Sequence, residues 1–314
     1  MTDSTHTTST HTTSTHTTSA HENGAHTDLL QSAPGEVVQA ELVTDDLGFG
    51  VAVAQFAPGA DKTANLETIA RLARVAKERG AALVVFPEYS SFFVDPLGPE
   101  LVENAEPLDG PFVTVLAGLA ADLDLHIIAG MAAEVRDERR FSNLLVAISP
   151  ADGVIATYSK LHLYDAFGAH ESEWVEPGSV DEPETFSIQG VTIGMQTCYD
   201  IRFPEVSRRL VDAGADVVAV PAEWVRGPLK EHHWRSLVTA RALENTIYVA
   251  AADQTPPVGV GASLVVDPMG VTIASLGERE DVAVAFIDPR RIDEVRRINP
   301  ALALRRFAVV ERTD

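Results

Sequence analysis

The sequence predicts a mixed α/β fold in which two sheets pack together with helices outside. Three observations carry that prediction. Apolar runs of strand length alternate with stretches of helical periodicity along most of the chain, the pattern of strand–helix–strand units. Paired apolar runs joined by turn residues, Pro150-Ala-Asp-Gly153 and Gln189-Gly190, insert hairpins among those units, so the sheets are mixed, not purely parallel. The two halves of the chain also look alike in outline, and two sheets packed together with helices outside accommodate the count of elements.

The elements follow in order from Gly48. Val51-Ala-Val-Ala-Gln-Phe56 is a short apolar run bounded by Gly50 and Pro58-Gly59 and reads as a strand. Over 63–79, Leu66, Ile69, Leu72, Ala73 and Ala76 recur at helical spacing with Gly80 as the stop signal. Residues 82–86 form a buried strand that ends at Pro87-Glu88. A helix over 111–123 and a strand over 126–129 come next. The runs 143–149 and 154–159 then pair as a hairpin whose second strand delivers Lys160. A further hairpin, 185–188 with 191–196, delivers Cys198 just past its end. A helix over 205–212, a strand over 216–220, a helix over 232–245 and a strand over 247–252 complete the pattern. Trp234, Leu237, Val238, Arg241 and Ala242 mark the second of those helices. The likeness between the halves lies in a strand, a helix and an apolar strand ending in Pro87-Glu-Tyr89 or Pro221-Ala-Glu-Trp224.

Composition narrows the function. With 314 residues, 45% of them apolar, the chain is long enough for one large core plus an appendage. The net charge of −22 repels phosphate backbones and anionic headgroups, which argues against nucleic-acid or membrane partners. Cys198 is the one cysteine, so no intramolecular disulfide forms and a reducing cytoplasm fits. No apolar run reaches bilayer length, and the N-terminus lacks the basic start and apolar stretch of a secretory signal. The chain opens with a Thr/Ser-rich repeat that carries His6, His11, His16, His21 and His26 at intervals of five. Such a segment has too few apolar side chains to offset the entropy of ordering, so 1–45 is expected to be a disordered tail and 46–314 a catalytic domain. A period of five puts those histidines on no single face of a helix or strand, which speaks against a metal site there.

Glu88, Lys160 and Cys198 each follow a strand, where mixed α/β folds assemble their sites. A thiol attacks only as thiolate and needs a base or a cation nearby. Glu88 can take its proton, and Lys160 with the backbone N–H after the cysteine can stabilise the oxyanion formed at an amide carbonyl. Taken singly, each has a plainer reading: a buried apolar cysteine, a solvated lysine, a loop carboxylate.

Their surroundings decide between these readings. Leu83-Val-Val-Phe-Pro-Glu-Tyr89, Tyr158-Ser-Lys-Leu-His-Leu-Tyr164 and Gly194-Met-Gln-Thr-Cys-Tyr-Asp-Ile-Arg-Phe-Pro-Glu205 resemble, in order, the base, lysine and nucleophile motifs of the nitrilase superfamily. The resemblance runs from about Val51 to Glu278 and includes Arg241-Ala-Leu-Glu-Asn245 and Gly261-Ala-Ser-Leu-Val-Val-Asp-Pro-Met-Gly270. It implies a four-layer αββα sandwich with two mixed sheets, a Glu–Lys–Cys triad of Glu88, Lys160 and Cys198, a thioester acyl-enzyme, no metal or organic cofactor, and assembly into homodimers or larger oligomers. A supporting glutamate is implied after the lysine; Glu171 takes that role, with Glu173 and Glu176 close by. Cys198-Tyr-Asp-Ile-Arg-Phe-Pro204 is similar to the ω-amidase branch, which implies a small-molecule amide as substrate, an N-carbamoyl compound being the alternative. Tyr199, Arg202 and Trp224 are the substrate-binding candidates. Arg202 suits a substrate carboxylate or, equally, a structural ion pair. Glu223 is a departure from the family pattern: facing the pocket it would disfavour acidic substrates, and facing solvent it would have no effect.

Three rivals remain at this stage: a cysteine–histidine hydrolase using His162, His170, His232 or His233, a metal-binding protein built on the tail and His232-His233, and a catalytically silent scaffold. The first lacks a matching cysteine signature. In the second, adjacent helical residues diverge by about 100° and share an ion poorly.

Overall fold

A computed structural model describes residues 48–312; the tail expected over 1–45, with its histidine repeat, lies outside the described residues. The chain runs β1 (Phe49–Gln55), α1 (Lys62–Glu78), β2 (Leu83–Val85), α2 (Pro99–Glu103), α3 (Pro111–Leu123), β3 (His126–Glu134), β4 (Phe141–Ser149), β5 (Gly153–Ser159), β6 (Thr185–Ile188), β7 (Val191–Met195), α4 (Pro204–Asp212), β8 (Val217–Ala222), α5 (Lys230–Asn245), β9 (Tyr248–Asp253), β10 (Leu264–Val266), β11 (Thr272–Ser275), β12 (Asp281–Ile287) and α6 (Pro289–Ile298).

Two six-stranded sheets result, in the orders β12-β1-β2-β3-β4-β5 and β11-β10-β9-β8-β7-β6. In each, three strands are parallel (β1-β2-β3 and β7-β8-β9) and the rest pair antiparallel. Read from β12 and from β6, the two sheets repeat the same succession of pairings, so the outline likeness of the halves is a duplicated topology. The hairpin at Gln189-Gly190 has positive φ at both residues (50° and 83°), as a two-residue turn between right-twisted strands requires.

Strand alternation sorts the side chains into layers. Val51, Val53, Leu83 and Val85 point inward and meet Ile193, Val217, Ala219 and Ala250 of the other sheet. Ala52, Ala54 and Val84 point outward, under Ile69, Leu72 and Ala73 of α1 and Leu116 of α3. On the far side, Val218, Val220 and Val249 lie under Trp234 and Val238 of α5. The layers are therefore αββα, as expected. Truncating an inter-sheet residue such as Ile193 to Ala would cost about 2–5 kcal/mol through lost burial and the cavity left behind. Helix α1 starts where the sequence places it because Asp61 caps it, accepting from Thr63 N and Ala64 N at 2.9 and 3.0 Å.

Four differences from the sequence reading matter. Strand β3 continues past Ala129 to Glu134, pairing Gly130 with Leu145; a glycine that reads as a break is tolerated because β4 supplies the partner. Helix α5 starts at Lys230, not His232, behind Leu229 in a left-handed conformation (φ 61°). The short α2 was not anticipated, being five residues long. Strands β10, β11 and β12 and helix α6 were not anticipated either. β12 pairs with β1 at the opposite end of the chain, and nothing local announces a partner so distant. Among the described residues, no helix is long and apolar enough to cross a membrane.

Candidate active site

The central strands of the two sheets, β2 and β8, end at the same rim, and each is followed by a glutamate, Glu88 and Glu223. Lys160 leaves β5, and Cys198 opens a 3-10 turn, Cys198–Arg202, after β7. Glu88, Lys160 and Glu171 are 1%, 2% and 3% exposed, so their charges must be satisfied within the protein. Lys160 Nζ donates to Glu88 Oε1 at 2.9 Å and to Glu171 Oε1 at 2.9 Å. Asn143 Nδ2, from β4, donates to the same two oxygens at 2.6 and 3.1 Å. Tyr89 Oη adds a bond to Glu171 Oε1 at 2.8 Å, and the backbone N–H of Tyr164 bonds Glu171 Oε2. Glu171 is thus the glutamate beside the lysine, and Glu173 and Glu176 are not.

Burial works to strip the proton from Lys160, but Glu171 and Glu88 together outweigh it and hold the ammonium well above its usual range. Burial pushes the Cys198 thiol up, Glu88 adds to the rise, and Lys160 opposes it. The resting sulfur is therefore a thiol that needs a base at the moment of attack. Cys198 Sγ donates to Glu223 O at 3.4 Å, while Glu223 N donates to Glu88 Oε2 at 2.6 Å. One residue's backbone thus spans the sulfur and the carboxylate.

Backbone conformation aims these groups. Cys198 and Tyr89 have φ of 44° and 55°, a left-handed conformation that costs non-glycine residues about 1–3 kcal/mol and concentrates at functional sites. Gly130 makes room for the turn at Glu88: a Cβ there would lie 2.7 Å from Glu88 Cα and Tyr89 N. Asp200 ties the lysine segment to the cysteine turn. It accepts from Tyr158 Oη at 2.7 Å and His162 N at 2.9 Å, and it closes a reciprocal cap with Thr197.

A second cluster lies around Trp224, which packs in the same core cluster as Cys198. The Arg202 guanidinium lies 4.8, 5.8 and 5.9 Å from the ring centres of Trp224, Phe167 and Tyr199. Its Nε and Nη2 are buried without a hydrogen-bond partner, and no carboxylate pairs with it among the described residues, so the ion-pair reading of Arg202 has no acid to support it. Trp224 holds its place through its own N–H to Asp253 Oδ1 at 2.6 Å and through Nε1 to Lys230 O at 2.9 Å. Glu223 faces inward: Oε1 is buried and unpartnered. Burial first, then Glu88 and Asp253, push its carboxyl well above the usual range.

The structure brings together all seven residues singled out from sequence, Glu88, Lys160, Cys198, Glu171, Tyr199, Arg202 and Trp224. Asn143, Asp200 and Lys230 were not singled out. Asp200 stands inside the Cys198-Tyr-Asp200 motif, a signal that was available; Asn143 and Lys230 carried none. Among the described residues no histidine hydrogen-bonds Cys198, and His162 stacks on Phe203 at 3.7 Å with Nδ1 2.8 Å from Asp200. His232 and His233 lie with ring centres 6.3 Å apart on α5. Among the described residues, no group of three or more His, Cys, Asp or Glu side chains is arranged to hold a metal ion.

Comparison with known proteins shows the family and the fold. A family model described as "Carbon-nitrogen hydrolase" matches residues 50–297. A protein of Escherichia coli O157:H7 named "Deaminated glutathione amidase" is 38% identical over 264 residues, covering 82% of this chain and 97% of its own. Among solved structures, Nit3 of Saccharomyces cerevisiae, described as a member of branch 10 of the nitrilase superfamily, superposes with a TM-score of 0.72 at 26% identity, covering 82% of this chain and 97% of that one. The C. elegans NitFhit protein gives a TM-score of 0.75 at 29% identity, covering 82% of this chain and 65% of that longer one.

Proposed function

This chain belongs to the carbon–nitrogen hydrolase family, and from that premise we propose that it cleaves the C–N bond of a small linear amide, as an ω-amidase does, through a thioester on Cys198. The observation that carries the reading is the buried hydrogen-bonded set Glu88–Lys160–Glu171 next to a thiol whose conformation is held left-handed.

In this scheme Cys198 Sγ attacks the amide carbonyl carbon as Glu88 takes the thiol proton. The carbonyl oxygen becomes anionic and is stabilised by the Lys160 ammonium and the N–H of Tyr199. Glu88 returns the proton to the nitrogen, the C–N bond breaks, and ammonia or an amine leaves with an acyl thioester behind. Glu88 then takes a proton from water, the hydroxide attacks the thioester, and the carboxylic acid departs as the thiol reforms. Lys160 does not deprotonate in any step, consistent with the two carboxylates that hold its charge. Glu171 positions Lys160, and Arg202 takes a carboxylate on the acyl chain. The named relative acts, by its name, on deaminated glutathione, an amide, which supports the same reaction class here. An N-carbamoyl substrate would follow the same steps.

A second copy of the chain is the expected partner. Leu304, Phe307 and Val310, in the segment after α6, are 70%, 91% and 81% exposed, an apolar stretch suited to an intersubunit contact. A reducing cytoplasm suits an enzyme that depends on a single thiol. The test of the reaction is ammonia release from a panel of short ω-amides, N-carbamoyl amino acids and nitriles. Wild type should release ammonia from an amide and accumulate a mass adduct equal to the acyl group. Cys198→Ala should do neither, and turnover that survives this substitution would end the scheme.

A further inference from the structure

Lys230 belongs to none of the motifs quoted for the family, yet the first turn of α5 carries it to the aromatic cluster around Trp224. Its side chain is buried, and its Nζ donates to a neutral partner, Tyr164 Oη, at 2.7 Å. The ammonium lies 4.2, 5.0 and 5.7 Å from the ring centres of Phe167, Tyr164 and Trp224. Phe167 and Trp224 are also the rings over which the Arg202 guanidinium sits. Two cations therefore converge on the same aromatic walls with no carboxylate paired to either among the described residues. Burial, and then Arg202, lower the Lys230 amine from its usual range.

Aromatic faces compensate a cation only in part, and an ammonium has three donors, of which the phenol uses one. Arg202 contributes two more buried N–H-bearing atoms without partners. Desolvated donors of one sign, left unmatched, are unfavourable until an anion accepts from them. A planar carboxylate fits: the Nε–Nη2 edge of the guanidinium can bind it in two-pronged fashion, and the ammonium supplies a point charge. Because Arg202 stands at the end of the same 3-10 turn that Cys198 begins, such an anion sits a few carbons from the carbonyl under attack.

We propose that Lys230 is a specificity-determining residue that forms, with Arg202, a two-cation seat for a carboxylate carried by the acyl chain of the substrate. The proposal rests on the amide-cleaving reading above and adds to it the second cation and the preference it creates. Neutral amides of the same length lack the group that would match both charges.

The experiment compares succinamate with butyramide, an amide of equal chain length without the carboxylate, on wild type, Lys230→Met, Lys230→Gln and Lys230→Arg. Succinate binding is measured by calorimetry on each in parallel. Loss of the charge should lower the succinamate-to-butyramide ratio of kcat/KM by about tenfold or more, mainly through KM, and weaken succinate by a similar factor. Lys230→Gln keeps a donor for Tyr164 Oη and should lose the preference like Lys230→Met, whereas Lys230→Arg should recover most of it. A ratio and a succinate affinity unchanged within twofold in the Met and Gln variants would overturn the seat. Wild type that cleaves neither amide yet binds succinate in a Lys230-dependent way would leave the seat standing and refute the reaction. Cleavage of both amides without dependence on Lys230 would do the reverse.

Discussion

Lys160→Met removes the cation that lies between Glu88 and Glu171 and changes little else, since methionine follows nearly the same path and leaves no large cavity. Two bonds of 2.9 Å disappear, and two carboxylates at 1% and 3% exposure remain beside each other with Asn143 Nδ2 as their shared donor. Removing one partner of a buried ion pair costs about 3–5 kcal/mol because the other charge is stranded. That is a large part of the roughly 5–15 kcal/mol that a domain has in total. The variant can recover by binding a proton where the ammonium was. Its folded state would then hold a proton that the unfolded chain releases above the ordinary carboxylate pKa. Stability of the variant relative to wild type should therefore fall as pH rises, by up to ~1.4 kcal/mol per pH unit within that window. Urea unfolding followed by tryptophan fluorescence at pH 5.5 and pH 8 reads this directly. Arg71→Met is the control, because its bond to Glu280 at 2.6 Å joins side chains that are 54% and 41% exposed and should contribute no more than about 1 kcal/mol. A Lys160→Met loss no larger than that of Arg71→Met at pH 8, or one equal at both pH values, would refute the reasoning. Turnover should vanish in Lys160→Met at either pH.

Two further outcomes follow from the same structure. Glu223 has a folded-state carboxyl raised by burial, Glu88 and Asp253, so wild type forfeits stability as pH rises from the ordinary carboxylate pKa toward the raised one; Glu223→Gln lacks this penalty, and its advantage in urea midpoint should grow with pH across that window, parallel pH dependences being the contrary result. Phe307, exposed after α6, should lie in the contact between two copies: light scattering should give a dimer or larger for wild type and a shift toward monomer for Phe307→Asp, and a wild type that is monomeric at micromolar concentration would remove the basis for that contact.

Much of the fold was legible because its signals are local. Helix α1 carries Ile69, Leu72, Ala73 and Ala76 on one stripe between an Asp61 cap and Gly80, and each part of that statement needs only neighbouring residues. The same holds for the hairpin at Gln189-Gly190. Strand β12 was missed for the opposite reason: Phe49 pairs with Ile287, and a strand at one end of a chain carries no mark of its partner at the other. Lys230 was missed because the start of α5 depends on Leu229 adopting a left-handed conformation, a choice made by tertiary packing and not by propensity.

By itself the sequence determined the family and the αββα class and pointed to Glu88, Lys160 and Cys198 as the candidate triad, since a reactive side chain is recognisable when an extended motif surrounds it. Tertiary structure alone decided that Asn143 bridges the two glutamates, that Glu223 turns inward from the end of β8, and that Lys230 meets Arg202 over Trp224 and Phe167. The physical reason is common to all three. Buried electrostatics depend on distances of a few ångströms and on which donors are left unmatched, and those quantities exist only after distant strands have been packed rim to rim.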